Sequence, residues 1–321
     1  MSENPKQPSP TGLERSRLSR TLRAVRSGIR RYPKAIYQTV KPQSGVGRSF
    51  GSEQRTLPDL LSGLAAHELA VAWLGHATVA AQFDQTSLVV DPVLSPSIGV
   101  RVGKRTIGVP RIGPVPITPD RLVGTDLVLI THAHFDHLDK PTLRGMASQR
   151  TVAVVPWRCS SLVPTGFGDV IELRPGRSLS IANITIRAIA PRHWGARAVL
   201  DRRRGNNAYL VRSASGSVLF AGDTAATHAF DGLEDLDLAA FGIGAYDPWD
   251  HMHATPEQIW NMYRRLEASY LLPIHHSTFE LSDEPMDEPM RRLLRTAGVD
   301  RDRVLDVGVG DIVRLGRGER G

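Results

Sequence analysis

Residues 126 to 139 read Asp-Leu-Val-Leu-Ile-Thr-His-Ala-His-Phe-Asp-His-Leu-Asp, and this stretch constrains the chain more than any other. The apolar run Leu127 to Ile130 predicts a buried strand. Side chains alternate along a strand, so His132 and His134 emerge on one side just where it ends. Asp136 and His137 follow as the chain turns toward a helix. Three imidazoles and one carboxylate within six residues are costly to desolvate without a cation or dense hydrogen bonding. The pattern therefore predicts a metal-binding loop at the rim of a sheet, which requires a fold built from strands whose ends converge.

One loop supplies too few donors for two ions, so further ligands are expected at other strand ends. His193 follows the predicted strand ITIRAIAP, Asp223 follows SVLFAG, and His275 follows YLLPI. Other apolar runs (LAVAWL, VAAQF, SLVVD, TVAVVP, NAYLVR and DLAAFGI) read as short strands separated by turns. Three helices are predicted among them. Lys140 to Ala147 follows Asp139 as N-cap with Pro141 in its first turn, and Thr255 to Glu267 has Thr255 as cap and Pro256 at its first position. Pro285 to Thr296 is the third. Strand clusters on both sides of a helix-bearing middle imply two sheets packed face to face with helices outside. Residues 96 to 118, rich in Gly and Pro, are expected to form a loop that supplies pocket wall.

The net charge of +7 does not describe the whole chain. Residues 1–60 hold twelve Lys/Arg against four acids, a net of +8, while the remaining 28 basic and 29 acidic residues net −1. The basicity therefore belongs to an N-terminal arm, in which Leu18, Leu22, Val25 and Ile29 fall at helical spacing, followed by linker composition over 41–57. Such an arm suits attachment to anionic lipid headgroups or to a partner, and equally a solvated extension or one packed on the body; it gives the body no nucleic-acid role. The single cysteine, Cys159, excludes an intrachain disulfide and a thiolate-built metal site. With no apolar run long enough to span a bilayer, the expected location is cytoplasmic, with peripheral contact at the inner membrane surface through the arm.

The series His132-x-His134-x-Asp136-His137, a later His193, the Asp223 of an AGDT segment and a final His275 resembles the metallo-β-lactamase superfamily. WLGHAT (73–78), VVDPVLS (89–95), RIGPVPIT (111–118), HWG (193–195), GAYDP (244–248), His253-Ala-Thr-Pro-Glu257 and Pro273-Ile-His-His-Ser-Thr-Phe279 resemble its N-acyl-phosphatidylethanolamine-hydrolysing phospholipase D branch and bacterial relatives over residues 68–295. The resemblance implies a four-layer αββα sandwich over residues 61–321, with the basic arm as extension. It implies two divalent ions, by default zinc: one held by His132, His134 and His193, the other by Asp136, His137 and His275, with Asp223 reaching both. Asp91 would hold ligands in orientation. Two such ions, roughly 3.5–4 Å apart, would activate a bridging hydroxide positioned by Asp136 and Asp223, with His253 donating a hydrogen bond to the phosphate or a proton to the leaving oxygen. The implied reaction is phosphodiester hydrolysis of phospholipase D type on a phospholipid; the alternative is a sugar-phosphate lactonase or another small-molecule hydrolase of esters or phosphodiesters. A homodimer is compatible with the resemblance. Two points are left open by the residues: whether His275 or His276 is the last ligand, and whether His76 supports the site or merely forms a turn.

Overall fold

The computed structural model describes residue 61 and residues 68–102, 105–113, 115–197, 201 and 203–316. The basic arm expected over residues 1–60 lies outside them. In chain order the first strands are β1 (Glu68–Trp73), β2 (Val79–Phe83), β3 (Thr86–Val90), β4 (Ser97–Val102), β5 (Arg105–Pro110), β6 (Leu127–Leu129), β7 (Val152–Pro156) and β8 (Asp169–Leu173). They are followed by β9 (Ser178–Ile181), β10 (Ile184–Ile189), β11 (Ala208–Arg212), β12 (Ser217–Phe220), β13 (Leu238–Gly242), β14 (Tyr270–Ile274) and β15 (Ile312–Gly316). Among the described residues three α-helices interrupt them: α1 (Lys140–Met146), α2 (Pro256–Leu266) and α3 (Glu288–Ala297).

One sheet has the order β15-β1-β2-β3-β6-β7-β8 and the other β14-β13-β12-β11-β10-β9. Each is antiparallel in one half and parallel in the other. The parallel halves are β3-β6-β7-β8 and β12-β13-β14. Parallel neighbours point their carboxyl ends the same way, so the loops after β3 and β6 share one rim, as do those after β12, β13 and β14.

Side-chain alternation divides every strand between two cores. Leu69, Val71 and Trp73 of β1 meet Val218 and Phe220 of β12 in the layer between the sheets. The intervening Ala70 and Ala72 pack outward with Leu143 and Met146 of α1. On the far side, Leu219 of β12 packs with Ile259, Tyr263 and Leu266 of α2 and Leu293 of α3. The order is thus helix, sheet, sheet, helix, the α/β sandwich expected. Burial of Ile259, Met262 and Leu266, each at most 2% exposed, contributes about 1.5–3 kcal/mol per side chain to seating α2.

Helix starts follow the sequence signals. The Asp139 carboxylate accepts from Thr142 N at 3.3 Å, and Thr255 and Gln258 form a reciprocal capping box ahead of α2. The third helix begins at Glu288 rather than Pro285, because Met286 and Asp287 before it form a turn. The largest departure lies in residues 96–118. In place of a loop, β4 and β5 form a separate two-stranded ribbon. Gly99 and Gly108 face each other across it so closely that a Cβ on Gly108 would lie 1.9 Å from the Ile98 carbonyl oxygen. These glycines permit a close backbone approach within paired strands instead of breaking them. Among the described residues no helix is long and apolar enough to cross a membrane.

Candidate metal centre

Six connections deliver side chains to the shared rim. His76 lies in the turn between β1 and β2, while His132, His134, Asp136 and His137 fill the segment between β6 and α1. His193 follows β10, Asp223 follows β12, His253 precedes the α2 cap, and His275 directly follows β14. Several of these turns use left-handed backbone: His76 (φ 51°), Asp91 (φ 44°) and His275 (φ 62°). Such conformations cost of order 1–3 kcal/mol each and persist only where the surroundings fix them. Here His76 N donates to Thr278 Oγ1 at 2.7 Å and His275 N donates to the His76 carbonyl at 2.8 Å. Gly222, at φ 59°, turns the chain into Asp223 where a Cβ would already press on Thr131 at 3.0 Å.

Three groups of donor atoms result among the described residues, each drawn within 4.8 Å; the third, Asp223 with His253 and His275, overlaps the first two. In the first, His134 Nδ1 lies 2.8 Å from His132 Nε2 and 3.4 Å from His193 Nε2, and Asp223 Oδ2 lies 3.6 Å and 3.8 Å from those two Nε2 atoms. In the second, Asp136 Oδ2 is 3.0 Å from His76 Nε2, 3.3 Å from His275 Nε2 and 3.7 Å from His137 Nε2. Asp223 also reaches this group, Oδ1 to His275 Nε2 at 3.3 Å and Oδ2 to His137 Nε2 at 3.2 Å. Every residue predicted as a ligand is therefore brought together, with Asp223 between the two groups.

The atoms behind these groups decide which nitrogens face inward. Asp91 Oδ2 lies 2.7 Å from His137 Nδ1, so this nitrogen carries the shared proton and Nε2 points into the site. Asp91 in turn accepts from Thr131 N at 2.7 Å and Thr131 Oγ1 at 2.5 Å. Likewise His193 Nδ1 donates to the Met252 carbonyl at 3.1 Å, leaving Nε2 free to face the cluster. The supporting role that the resemblance implies for Asp91 is the one its contacts describe.

Burial sets the electrostatics. It holds His132 well below the ordinary histidine range and His134 at about 4. Burial also works against a charge on His137, yet Asp223, Asp91 and Asp136 keep it well above that range. For Asp223 burial opposes ionisation, and His137, His275 and His253 more than offset it, so the carboxylate stays charged. Burial raises the pKa of Asp91, against the opposing pull of His137 and the Thr131 donors. Both Asp223 oxygens and His137 Nε2 are buried without a hydrogen-bond partner. Unsatisfied lone pairs of this kind are expensive unless a cation takes them up. Imidazole nitrogens and carboxylate oxygens, with no thiolate, are the donor set of zinc, iron or manganese, and both groups can hold a metal ion.

The geometry bears on both points the sequence left open. His275 faces Asp136 and Asp223, whereas His276 turns away, stacks on Trp73 at 4.7 Å between ring centroids and bonds Ser277 Oγ at 2.9 Å. His76 is a supporting residue rather than a plain turn histidine, since it is buried and its Nε2 hydrogen-bonds Asp136. His253 stands at the edge of the centre, Nδ1 3.9 Å from Asp223 Oδ2 and its ring 4.9 Å from that of His193. Trp194, 41% exposed, packs edge-on against His134 at the mouth. Sequence reasoning missed Arg197. Its guanidinium donates to the Ala133 and Leu138 carbonyls, bracing the ligand loop, and lies over Phe135 at 4.2 Å. No local motif announces it.

Fold and site together define a metal-dependent hydrolase of the metallo-β-lactamase type. A family model described as the β-lactamase superfamily domain matches residues 86–276, and the chain belongs to that family. It is 28% identical over 259 residues to an uncharacterized protein of Mycobacterium tuberculosis, covering 75% of this chain and 67% of that one. It is 27% identical over 238 residues to the mitochondrial N-acyl-phosphatidylethanolamine-hydrolyzing phospholipase D of Saccharomyces cerevisiae, covering 69% of this chain and half of that protein's length, 50%. Among solved structures, a metallo hydrolase of the archaeon Ignicoccus hospitalis aligns with a TM-score of 0.57 at 17% identity, over 77% of this chain and 98% of that one. The phospholipase relative supports the branch resemblance carried by the motifs.

Proposed function

We propose that the protein is a phosphodiesterase of phospholipase D type, acting on N-acyl-phosphatidylethanolamine-like lipids with two divalent ions, zinc by default. The observation that carries this reading is Asp223, a buried carboxylate with both oxygens unpartnered, set between two histidine-rich groups. In this reading His132, His134 and His193 would hold one ion, Asp136, His137 and His275 would hold the other, and Asp223 would serve both. When bound, the ions supply Lewis acidity and a water-derived nucleophile at neutral pH. The chain's own residues do the rest. Asp136 and Asp223 orient the attacking water, with Asp136 itself held by His76. His253, kept neutral by burial, donates a hydrogen bond to the phosphate from the edge of the centre. Trp194 offers an apolar wall to the substrate at the mouth.

The basic arm fits the same reading, as a cationic tether that brings a cytoplasmic enzyme to an anionic lipid surface. Deleting residues 1–55 is expected to weaken liposome binding and spare turnover of a soluble diester; equal liposome binding removes the tether.

The test of the activity is a substrate panel on metal-loaded protein, with metal content determined on the same sample. N-acyl-phosphatidylethanolamine, a generic phosphodiester, a lactone and a β-lactam are compared. Preferential cleavage of the phospholipid is expected. Turnover of the lactone or simple diester alone, with both ions bound, overturns the lipid assignment and moves the substrate to soluble metabolites.

A further inference from the structure

Beside the metal centre, between the β4–β5 ribbon and α1, lies a cavity of about 240 Å³. Arg101 lines it from the ribbon, Lys140 and Arg144 from α1, Arg197 from the loop after β10, with Phe135 and Asp139 completing the wall. Four cations thus face one carboxylate, and that carboxylate is already engaged. Asp139 accepts from Ser95 Oγ at 2.6 Å and from the Thr142 backbone and hydroxyl, as the cap of α1. The Arg197 guanidinium is committed to the Ala133 and Leu138 carbonyls. Lys140 and Arg144 form no ion pair among the described residues.

Cations gathered this way repel one another. Burial, and after it the charges of Arg197, Arg144 and Arg204, hold the Lys140 ammonium below its ordinary pKa. An anion with several acceptor oxygens would relieve that repulsion and use the guanidinium donors in pairs. The small ribbon residues on the same face, Ser97, Gly99 and Thr106, leave it room. Phe135 stands between His134 and Asp136 in the chain, so the cavity is one side chain removed from both donor groups.

We propose that this cavity is a phosphate-binding site, distinct from the metal centre and adjoining it. The group it takes is a phosphate, presented either by a soluble ester or free ion or by a lipid headgroup. The assignment rests on the cations alone and holds whatever reaction the metal centre performs.

The experiment is a calorimetric titration of metal-loaded protein with inorganic phosphate, comparing the native chain with a Lys140→Ala, Arg144→Ala double variant. Flotation with phosphatidylcholine vesicles, with and without phosphatidic acid, forms the second arm. Arg144 is exposed and Lys140 partly so, and neither touches the donor groups, so metal content and circular dichroism are expected to be unchanged. If the double variant misfolds, Lys140→Gln and Arg144→Gln are titrated singly. Phosphate affinity at the cavity should fall about tenfold or more, leaving only what the metal centre binds. Loss in both arms assigns a lipid headgroup, and loss in the calorimeter alone assigns a soluble phosphate. Identical isotherms for native chain and variant overturn the proposal, whatever the vesicles do.

Discussion

Replacing Asp91 by Asn preserves the shape of a buried carboxylate while giving one of its two positions hydrogens to donate. The native Oδ1 accepts from Thr131 N at 2.7 Å, and Oδ2 faces Thr131 Oγ1 at 2.5 Å and His137 Nδ1 at 2.7 Å. In Asp91→Asn the amide oxygen stays with the Thr131 backbone, so the NH₂ group meets His137 Nδ1. That nitrogen must then accept, and the ring proton moves to Nε2, the atom 3.2 Å from Asp223 Oδ2. Flipping the amide offers no escape, because its NH₂ would then oppose the Thr131 N–H. A donor nitrogen is thus converted into a protonated one without altering any ligand. Changes to such supporting partners weaken metal binding about 10- to 100-fold, or about 1.4–2.7 kcal/mol. The loss should be largest in the group containing His137, because Thr131 Oγ1, which loses its acceptor, also lies 3.0 Å from His132 Nδ1 and passes a smaller part of the change to the other group. Chelator competition, with metal counted by mass spectrometry, should resolve one strongly and one less weakened step. Activity should fall at limiting metal and recover in excess. Native affinity in both steps would refute the tautomer argument. Asp91→Ala is a poorer choice, since it leaves the buried Thr131 N–H unpaired at a cost of about 1–3 kcal/mol.

Asp223→Ala removes the carboxylate shared by both groups and is expected to lose metal and turnover together; a fully active variant would refute the shared role. His275→Ala should lower metal content and turnover by orders of magnitude, whereas His276→Ala, which loses stacking on Trp73 and a hydrogen bond with Ser277, should mainly lower the melting temperature; the reverse order would reassign the ligand. Burial raises the Cys159 thiol to about 12, so the nucleophilic thiolate is scarce until pH approaches that value. Iodoacetamide at pH 8 should leave native protein unlabelled and label it fully in denaturant, and rapid native labelling would contradict the burial.

What was legible in the sequence was the part written in apolar runs and caps. Leu127 to Ile130 announced β6, and with it the direction of His132 and His134. Asp139 with Pro141, and Thr255 with Pro256, announced the starts of α1 and α2. Three of the four edge strands of the two large sheets were not legible. In β8, β9 and β15 exposed positions alternate with only partial burial, so no apolar run marks them. The ribbon was hidden for a different reason: Gly99 and Gly108 carry the composition of a loop while serving the close approach of two paired strands. At the site, donors adjacent to strands could be found one by one. Arg197 could not, because its partners are backbone carbonyls 59 and 64 residues away, contacts that leave no trace in local pattern.

The loop between β6 and α1 belongs to one sheet, while His193, Asp223 and His275 hang from the other. An ion bound by both sets would rivet the two layers at the rim. Separating the sheets there would then require breaking coordination bonds as well as opening the core. Melting temperature should rise with free metal concentration, as linkage demands when only the folded chain assembles the donors. Affinity for metal would in turn report on the closure of the sandwich: a substitution deep between the layers, far from any ligand, could be detected first as a leaking ion.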